Sequence, residues 1–318
     1  MIRIITLLQV FYNKFIMNSY WDHFEDIDQK YMAVKLNTPT PVIECDFNGN
    51  KLFIKDENEN QNGSFKDRGV SYQMAKHIQH GKTKFALSSS GNSAISCSSI
   101  AVFYDGDLEL FLSNKINPSK LNKIKGFSNP RIKINLSEKP RSDLIKFLNH
   151  NPEYVNLRGS NDNYAIPGFK TIAYEIIEQL PEVDAIFIPC SSGTSALGIS
   201  QGFKELNLNI PIHICQTEKI HAIAKYFDDE YIRQNASLAD AITDRLANRK
   251  KDVVELIKVT KGFGWVISDI QLVQDKDIVT NLINKDYSYN SVLAFSGWRK
   301  ALKKGYNYKN PVLLFSGL

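Results

Sequence analysis

From about residue 50 onward, short apolar runs alternate with stretches in which apolar residues recur every three or four positions. These are the signatures of buried strands and of helices with one buried face. Lys51-Leu52-Phe53-Ile54 reads as a strand, and Ser64 to His80 as a helix closed by Gly81, with Val70, Met74 and Ile78 at four-residue spacing. Strands follow at Phe85 to Leu87, Leu108 to Leu112, Arg131 to Leu136, Ala185 to Pro189, Pro211 to Cys215 and Pro311 to Phe315. Helices are predicted over Ser93 to Tyr104, over Phe169 to Leu180 ahead of Pro181, and over Thr194 to Leu206. Another begins after Ser268 with Asp269 in its first turn, and a last one covers Ser291 to Lys303. Strand–turn–helix alternation of this kind predicts parallel sheets with helices on both faces. Ligands in such folds bind where the C-terminal ends of strands lead into helix N-termini, so candidate chemistry is sought at those turns.

The first sixteen residues, Met1 to Ile16, form an apolar opening with Arg3 at its start and Lys14 within it. The run is too short to span a membrane and no small-residue cleavage site follows it. A packed helix or an extended start is expected there rather than a signal peptide. The chain has 318 residues, 43% apolar and 23% charged, with a net charge of +5, the balance of a soluble globular protein. No basic block exceeds Arg249-Lys250-Lys251, so a nucleic-acid partner is not expected, whereas an anionic cofactor or substrate fits a mild basic excess. Cys45, Cys97, Cys190 and Cys215 form no CxxC pair and no histidine cluster has metal-ligand spacing. Reduced thiols in a cytoplasmic protein without a metal are the expectation.

Four turns carry candidate chemistry. In Asn62-Gly63-Ser64-Phe65-Lys66-Asp67-Arg68-Gly69, Ser64 is a good N-cap, which places Lys66 in the first turn of its helix. The helix dipole disfavours a cation there, and a lysine that must lose its proton to form an imine benefits from such a place. Ser88-Ser89-Ser90-Gly91-Asn92-Ser93 follows a buried strand and opens a helix, offering free backbone N–H groups to a carboxylate. Pro189-Cys190-Ser191-Ser192-Gly193-Thr194-Ser195 lies between strand and helix as well, and its hydroxyls and N–H groups suit a phosphate dianion. Phe315-Ser316-Gly317 ends the last strand.

Together these motifs resemble the fold-type II pyridoxal-phosphate (PLP) enzymes, the tryptophan synthase β-like superfamily, and Ser64 to Gly69 looks most like threonine synthase. The resemblance runs from about Asn37 to Leu318, through Asn37-Thr38-Pro39-Thr40-Pro41, Gly168 to Ile176, Cys215 to Glu218 and Ser237 to Ile242. It implies two doubly wound α/β domains with the cofactor in the cleft between them. The expected division is a large domain, 1–81 with 160–318, and a smaller mobile one, 82–159. It implies that Lys66 holds PLP as a Schiff base and acts as the base. Asn92 would contact the phenolic oxygen, and Ser191, Ser192, Gly193, Thr194 and Ser195 the phosphate. Ser316 would bond the ring nitrogen, while Ser89, Ser90 and Ser93 would meet the substrate carboxylate. A homodimer acting on a small amino acid is implied too.

Departures narrow the reaction. Threonine synthases of this kind carry an arginine five residues before the lysine of the Gly-x-Lys-Thr segment. Here that place is Ala165, with Arg158 and Asn163 as the nearby candidates to take over. Dehydratases place a histidine after the loop asparagine, where this chain has Ser93. Threonine synthase-like chemistry is the first expectation, and a β-replacement enzyme of the cysteine or cysteate synthase type or a serine/threonine dehydratase the alternatives. A PLP-binding protein without catalysis is the distant one.

Overall fold

The computed structural model describes residues 20–32, 36 and 38–317; the opening apolar run lies outside the described residues. In chain order the strands and helices are β1 (Val42–Phe47), β2 (Asn50–Asp56), α1 (Lys66–Gln79), β3 (Lys84–Ser89), α2 (Asn92–Tyr104) and β4 (Asp107–Ser113). Then come α3 (Pro118–Lys125), β5 (Ile132–Ser137), α4 (Pro140–His150), β6 (Val155–Asn156), α5 (Lys170–Gln179), β7 (Ala185–Pro189) and α6 (Thr194–Glu205). The chain closes with β8 (Ile212–Thr217), α7 (Lys250–Thr260), β9 (Gly264–Ile267), α8 (Asp269–Ile283), α9 (Tyr289–Lys303) and β10 (Pro311–Phe315).

Two sheets result. A six-stranded sheet runs β1-β2-β10-β7-β8-β9 and a four-stranded one β5-β4-β3-β6. Every pairing is parallel except the edge hairpin β1–β2. The central strands β7, β8 and β10 are buried along their whole length, as expected where helices cover both faces of a sheet. The fold class is therefore the one the alternation predicts, α/β with two parallel-sheet domains. Residues around Tyr20, Trp21 and Phe24 and the α1 side chains Val70 and Met74 join the apolar core of the four-stranded sheet. Helix α1 thus packs against both halves of the molecule.

The differences from the predicted elements are local. Helix α1 starts at Lys66 with Phe65 in the cap position, so Ser64 is not the N-cap. Its hydroxyl still accepts from the Lys66 N–H at 3.3 Å, a turn-type contact two residues on. The pattern predicts none of β1, α3, α4, β6, α7 or β9. Helix α4 shows why, since Leu144 is its one fully buried residue and leaves almost no periodic stripe to detect. Ser268 caps α8 as predicted, accepting from the Gln271 N–H at 3.2 Å.

Candidate active site

The C-terminal ends of β2, β3, β7 and β10 open onto one cavity of about 140 Å³. Eleven residues singled out from the sequence line it. They are Lys66 from α1, Ser89, Ser90, Asn92 and Ser93 from the β3–α2 turn, Ser191 to Ser195 from the β7–α6 turn, and Ser316 after β10. No two of these turns are adjacent in the chain. Parallel strand order brings the turns after β2, β7 and β10 to one edge of the six-stranded sheet, and the β3–α2 turn of the four-stranded sheet meets them across the cavity.

Lys66 opens α1 and its amine lies over the rings of Phe65 and Phe169, 4.5 and 5.7 Å from their centroids. Among the described residues, no hydrogen bond or ion pair involves Lys66 Nζ. Burial pushes its pKa down to about 8, partly opposed by nearby Cys190. Burial likewise raises the Cys190 thiol to about 12, so that neighbour is neutral at pH 7.

The helix carrying Lys66 is held by its next two residues. Asp67 accepts from the Asn62 N–H at 2.8 Å and from the Ser96 hydroxyl at 2.6 Å, tying α1 to α2 and its asparagine loop. Arg68 is fully enclosed. It donates to Glu57 at 2.6 and 2.8 Å and to Glu175 at 2.6 and 2.8 Å, with Lys55 Nζ joining Glu175 Oε2 at 2.7 Å. The paired cations hold the Glu175 carboxyl below its usual range against the opposing effect of burial. This buried network anchors α1 to α5 and fixes the position from which Lys66 projects.

The C-terminal strand approaches the same motif. The Phe65 N–H donates to the Ser316 carbonyl at 3.1 Å, and Gly317 pairs with Ser64 across an isolated bridge. Gly317 has φ +134°, and a Cβ there would overlap Ser64, so the close approach requires glycine. Opposite, Gly193 (φ +95°) turns the chain into α6. The Ser192 and Thr194 hydroxyls are 3.0 Å apart, and Ser191 Oγ accepts from the Thr243 and Asp244 N–H groups at 3.1 Å each. The first turn of α6 leaves N–H groups without intrahelical acceptors at the positive end of its dipole.

Several lining residues were not singled out. Thr243, Asp244 and Asn290 complete the cavity, and Asp244 accepts from Arg158 at 3.5 Å and Arg141 at 3.4 Å. The segment of Thr243 and Asp244, just after Ser237 to Ile242, carries no local signal for a site, because it has neither regular periodicity nor a strand–turn–helix context, and Asn290 comes from the first turn of α9. Ala165 also lines the cavity and is buried. Asn163 instead accepts from Arg249 Nη1 at 2.9 Å and does not line it. Among the described residues there is no cluster suited to a metal, and no helix is long and apolar enough to cross a membrane.

An unengaged, easily deprotonated amine facing hydroxyls at a helix N-terminus is what a cofactor bearing an aldehyde and a phosphate needs, so the residues present fit PLP. The family model for pyridoxal-phosphate dependent enzymes matches residues 34–280. The L-threonine dehydratase TdcB of Escherichia coli K12 is 26% identical over 248 residues, covering 73% of this chain and 70% of that protein. Threonine synthase of Methanocaldococcus jannaschii is 25% identical over 177 residues, covering 53% of this chain and 44% of that one. The structure of maize serine racemase superposes with a TM-score of 0.74 at 21% identity, covering 87% of each chain.

Proposed function

This chain belongs to the pyridoxal-phosphate dependent enzyme family, and on that premise we propose that it is a lyase acting on a small amino acid by elimination or replacement. The observation that carries the proposal is the Lys66 amine, which lines the cavity without a polar partner and has its pKa lowered to about 8. Lys66 would hold the cofactor through Nζ and, once released from it, take the substrate's α proton. The cofactor, when bound, supplies the electron sink for the charge left at the α carbon. Ser191 to Ser195 would grip its phosphate, and Asn92 would sit at its phenolic oxygen. Ser316 would meet the ring nitrogen as a neutral hydroxyl, which leaves the ring uncharged and favours elimination over deeper electron withdrawal. Ser89, Ser90 and Ser93 would bind the substrate carboxylate at the N-terminus of α2. We further propose that the part containing the four-stranded sheet, 82–159, moves to close the cleft. The Lys120–Asp240 pair at 3.4 Å and the Lys123 amine on the Asn62 carbonyl at 2.9 Å would be broken and remade in that motion.

The first specific reading is the threonine synthase reaction, in which O-phosphohomoserine and water give threonine and phosphate. It is supported by the Ser64–Gly69 and Gly168–Ile176 segments, and Arg158 is the cation in reach of a substrate phosphate. The second is dehydration of serine or threonine to the oxo acid and ammonia. It is supported by Ala165, which presents a methyl group where a phosphate clamp would stand, and by the sharing of Arg158 with Asp244. The two are separated by incubating PLP-loaded protein with each substrate. Phosphate and threonine released from O-phosphohomoserine favour the first. Ammonia and oxo acid from threonine or serine, with no phosphate release, favour the second. If neither substrate reacts at a rate that depends on Lys66, both fail.

A further inference from the structure

A second cavity, of about 250 Å³, shares no lining residue with the catalytic one. Its wall includes Lys219, Lys225, Arg233, Arg245 and Lys250, together with His221, and no carboxylate. The five cations are separated by loop and turn in the sequence, and only Lys250 belongs to a basic run, Arg249-Lys250-Lys251. The chain between β8 and α7 folds back on itself and collects them. Among the described residues, none of the five side chains is in an ion pair or a hydrogen bond. Elsewhere in the same protein lysines close to acids are paired, as Lys285 is with Asp56 at 2.9 Å and Lys300 with Asp228 at 2.6 Å.

Like charges gathered around one concavity repel, and the field between them is focused by the surrounding low-dielectric protein. Such an arrangement costs stability unless an anion offsets it. Lys250 is also the first residue of the eleven-residue helix α7, whose N-terminus adds a positive partial charge at the same place. The His221 ring packs on Tyr231 with centroids 4.3 Å apart and gives the cavity one aromatic side.

We propose that this cavity binds a small soluble anion carrying two or more linked phosphates. The count of cations exceeds what a single carboxylate or monophosphate would neutralise. The volume is below that of a typical site for a whole drug-sized ligand, so the phosphate chain is the recognised part and any organic group it carries projects outward. The cations converge on a cavity instead of spreading over a face, which favours a compact polyanion over a nucleic-acid backbone or a lipid surface. The site also adjoins the catalytic one through the chain. Arg245 follows Asp244, whose N–H is held by Ser191, and Arg249, just before Lys250, packs its Cβ against the Gly193 turn.

The test is calorimetric titration of the PLP-loaded protein with tripolyphosphate, with inorganic phosphate and ATP as parallel probes. The comparison is a Lys225→Glu, Arg233→Glu double variant, whose two side chains are exposed and whose cofactor absorption reports that it is folded. The expected result is saturable one-site binding of tripolyphosphate, weaker at high salt, and lowered by about tenfold or more in the variant. ATP is expected to bind with similar affinity and inorganic phosphate more weakly. Absence of saturable binding overturns the proposal, as does equal affinity in wild type and variant, which would place the anion elsewhere. A short RNA or an anionic vesicle that binds through these residues when tripolyphosphate does not would also overturn it. Binding is read without turnover, so its failure leaves the lyase proposal standing, and a failed lyase assay leaves this site untouched.

Discussion

Lys55 and Lys66 stand at opposite ends of the same short stretch of chain; Lys55 is fully buried, and Lys66 is partly buried and lines the cavity. Lys55 has three acceptors, the Thr40 carbonyl at 2.6 Å, Glu175 Oε2 at 2.7 Å and Gln179 Oε1 at 2.8 Å. Lys66 has two aromatic rings and no acceptor. Burial lowers the pKa of each, but the Glu175 and Glu57 carboxylates oppose that for Lys55, whereas only weakly acidic Cys190 does so for Lys66. A saturated buried charge is a structural joint. A desolvated amine with nothing to bond is poised to lose its proton and react. The difference lies in neighbours supplied by residues far away in sequence, since Glu175 and Gln179 come from α5.

That contrast can be broken at either lysine. Lys66→Ala is expected to reduce turnover on whichever substrate proves active by about 10⁴-fold, the upper range for loss of a positioned base, while the protein keeps its fold. Lys55→Met removes one partner from the buried network and is expected to destabilise the protein by about 3 kcal/mol in denaturant melts, with cofactor absorption intact. Lys66→Met is expected to act with the opposite sign in protein stripped of cofactor, raising stability by about 2 kcal/mol at pH 7. The folded pKa of Lys66 lies below its unfolded value of 10.5, so the unfolded chain binds more protons between about 8 and 10.5. Wild-type stability therefore rises with pH across that window, and the gain from Met is full below pH 8 and gone above 10.5. A stability loss in the Met variant at pH 7 would refute the account of Lys66 as an unsatisfied amine. Stopped-flow capture of PLP by the stripped protein should speed up about tenfold from pH 7 to pH 9 and then level off, because the neutral amine fraction saturates above a pKa of about 8. An ordinary lysine would keep accelerating past pH 10. The smallest effect is expected for Gly193→Ala. It forces a side chain into a left-handed turn, with its Cβ 2.5 Å from Val253 Cγ2, and should weaken cofactor affinity by about 1 kcal/mol.

Much of the lining of the candidate catalytic cavity was legible because most of its parts sit at strand–turn–helix junctions, where local rules of capping and dipole apply. Ser316 follows the end of the last strand, and Lys66, the β3–α2 serines and Asn92, and the β7–α6 turn have that context. Asp244, Thr243 and Asn290 do not; the first two enter the cavity only because the loop after β8 folds over it, and Asn290 enters from the first turn of α9. The same loop hides the basic cavity. Lys219, Lys225, Arg233 and Arg245 read as isolated surface charges until the backbone between β8 and α7 closes.

The sequence alone determined most of the alternation of strands and helices, the parallel sheets that follow from it, and the four turns proposed here to hold a phosphate and an imine-forming lysine. Those are short-range properties, set by periodicity, capping and the chirality of β–α–β connections. Tertiary structure decided which lysine is saturated and which is free to react, that Ser64 does not cap its helix, and where the excess positive charge collects. Each depends on atoms brought within a few ångströms by packing of distant segments, and Coulomb and hydrogen-bond energies are appreciable only at that range.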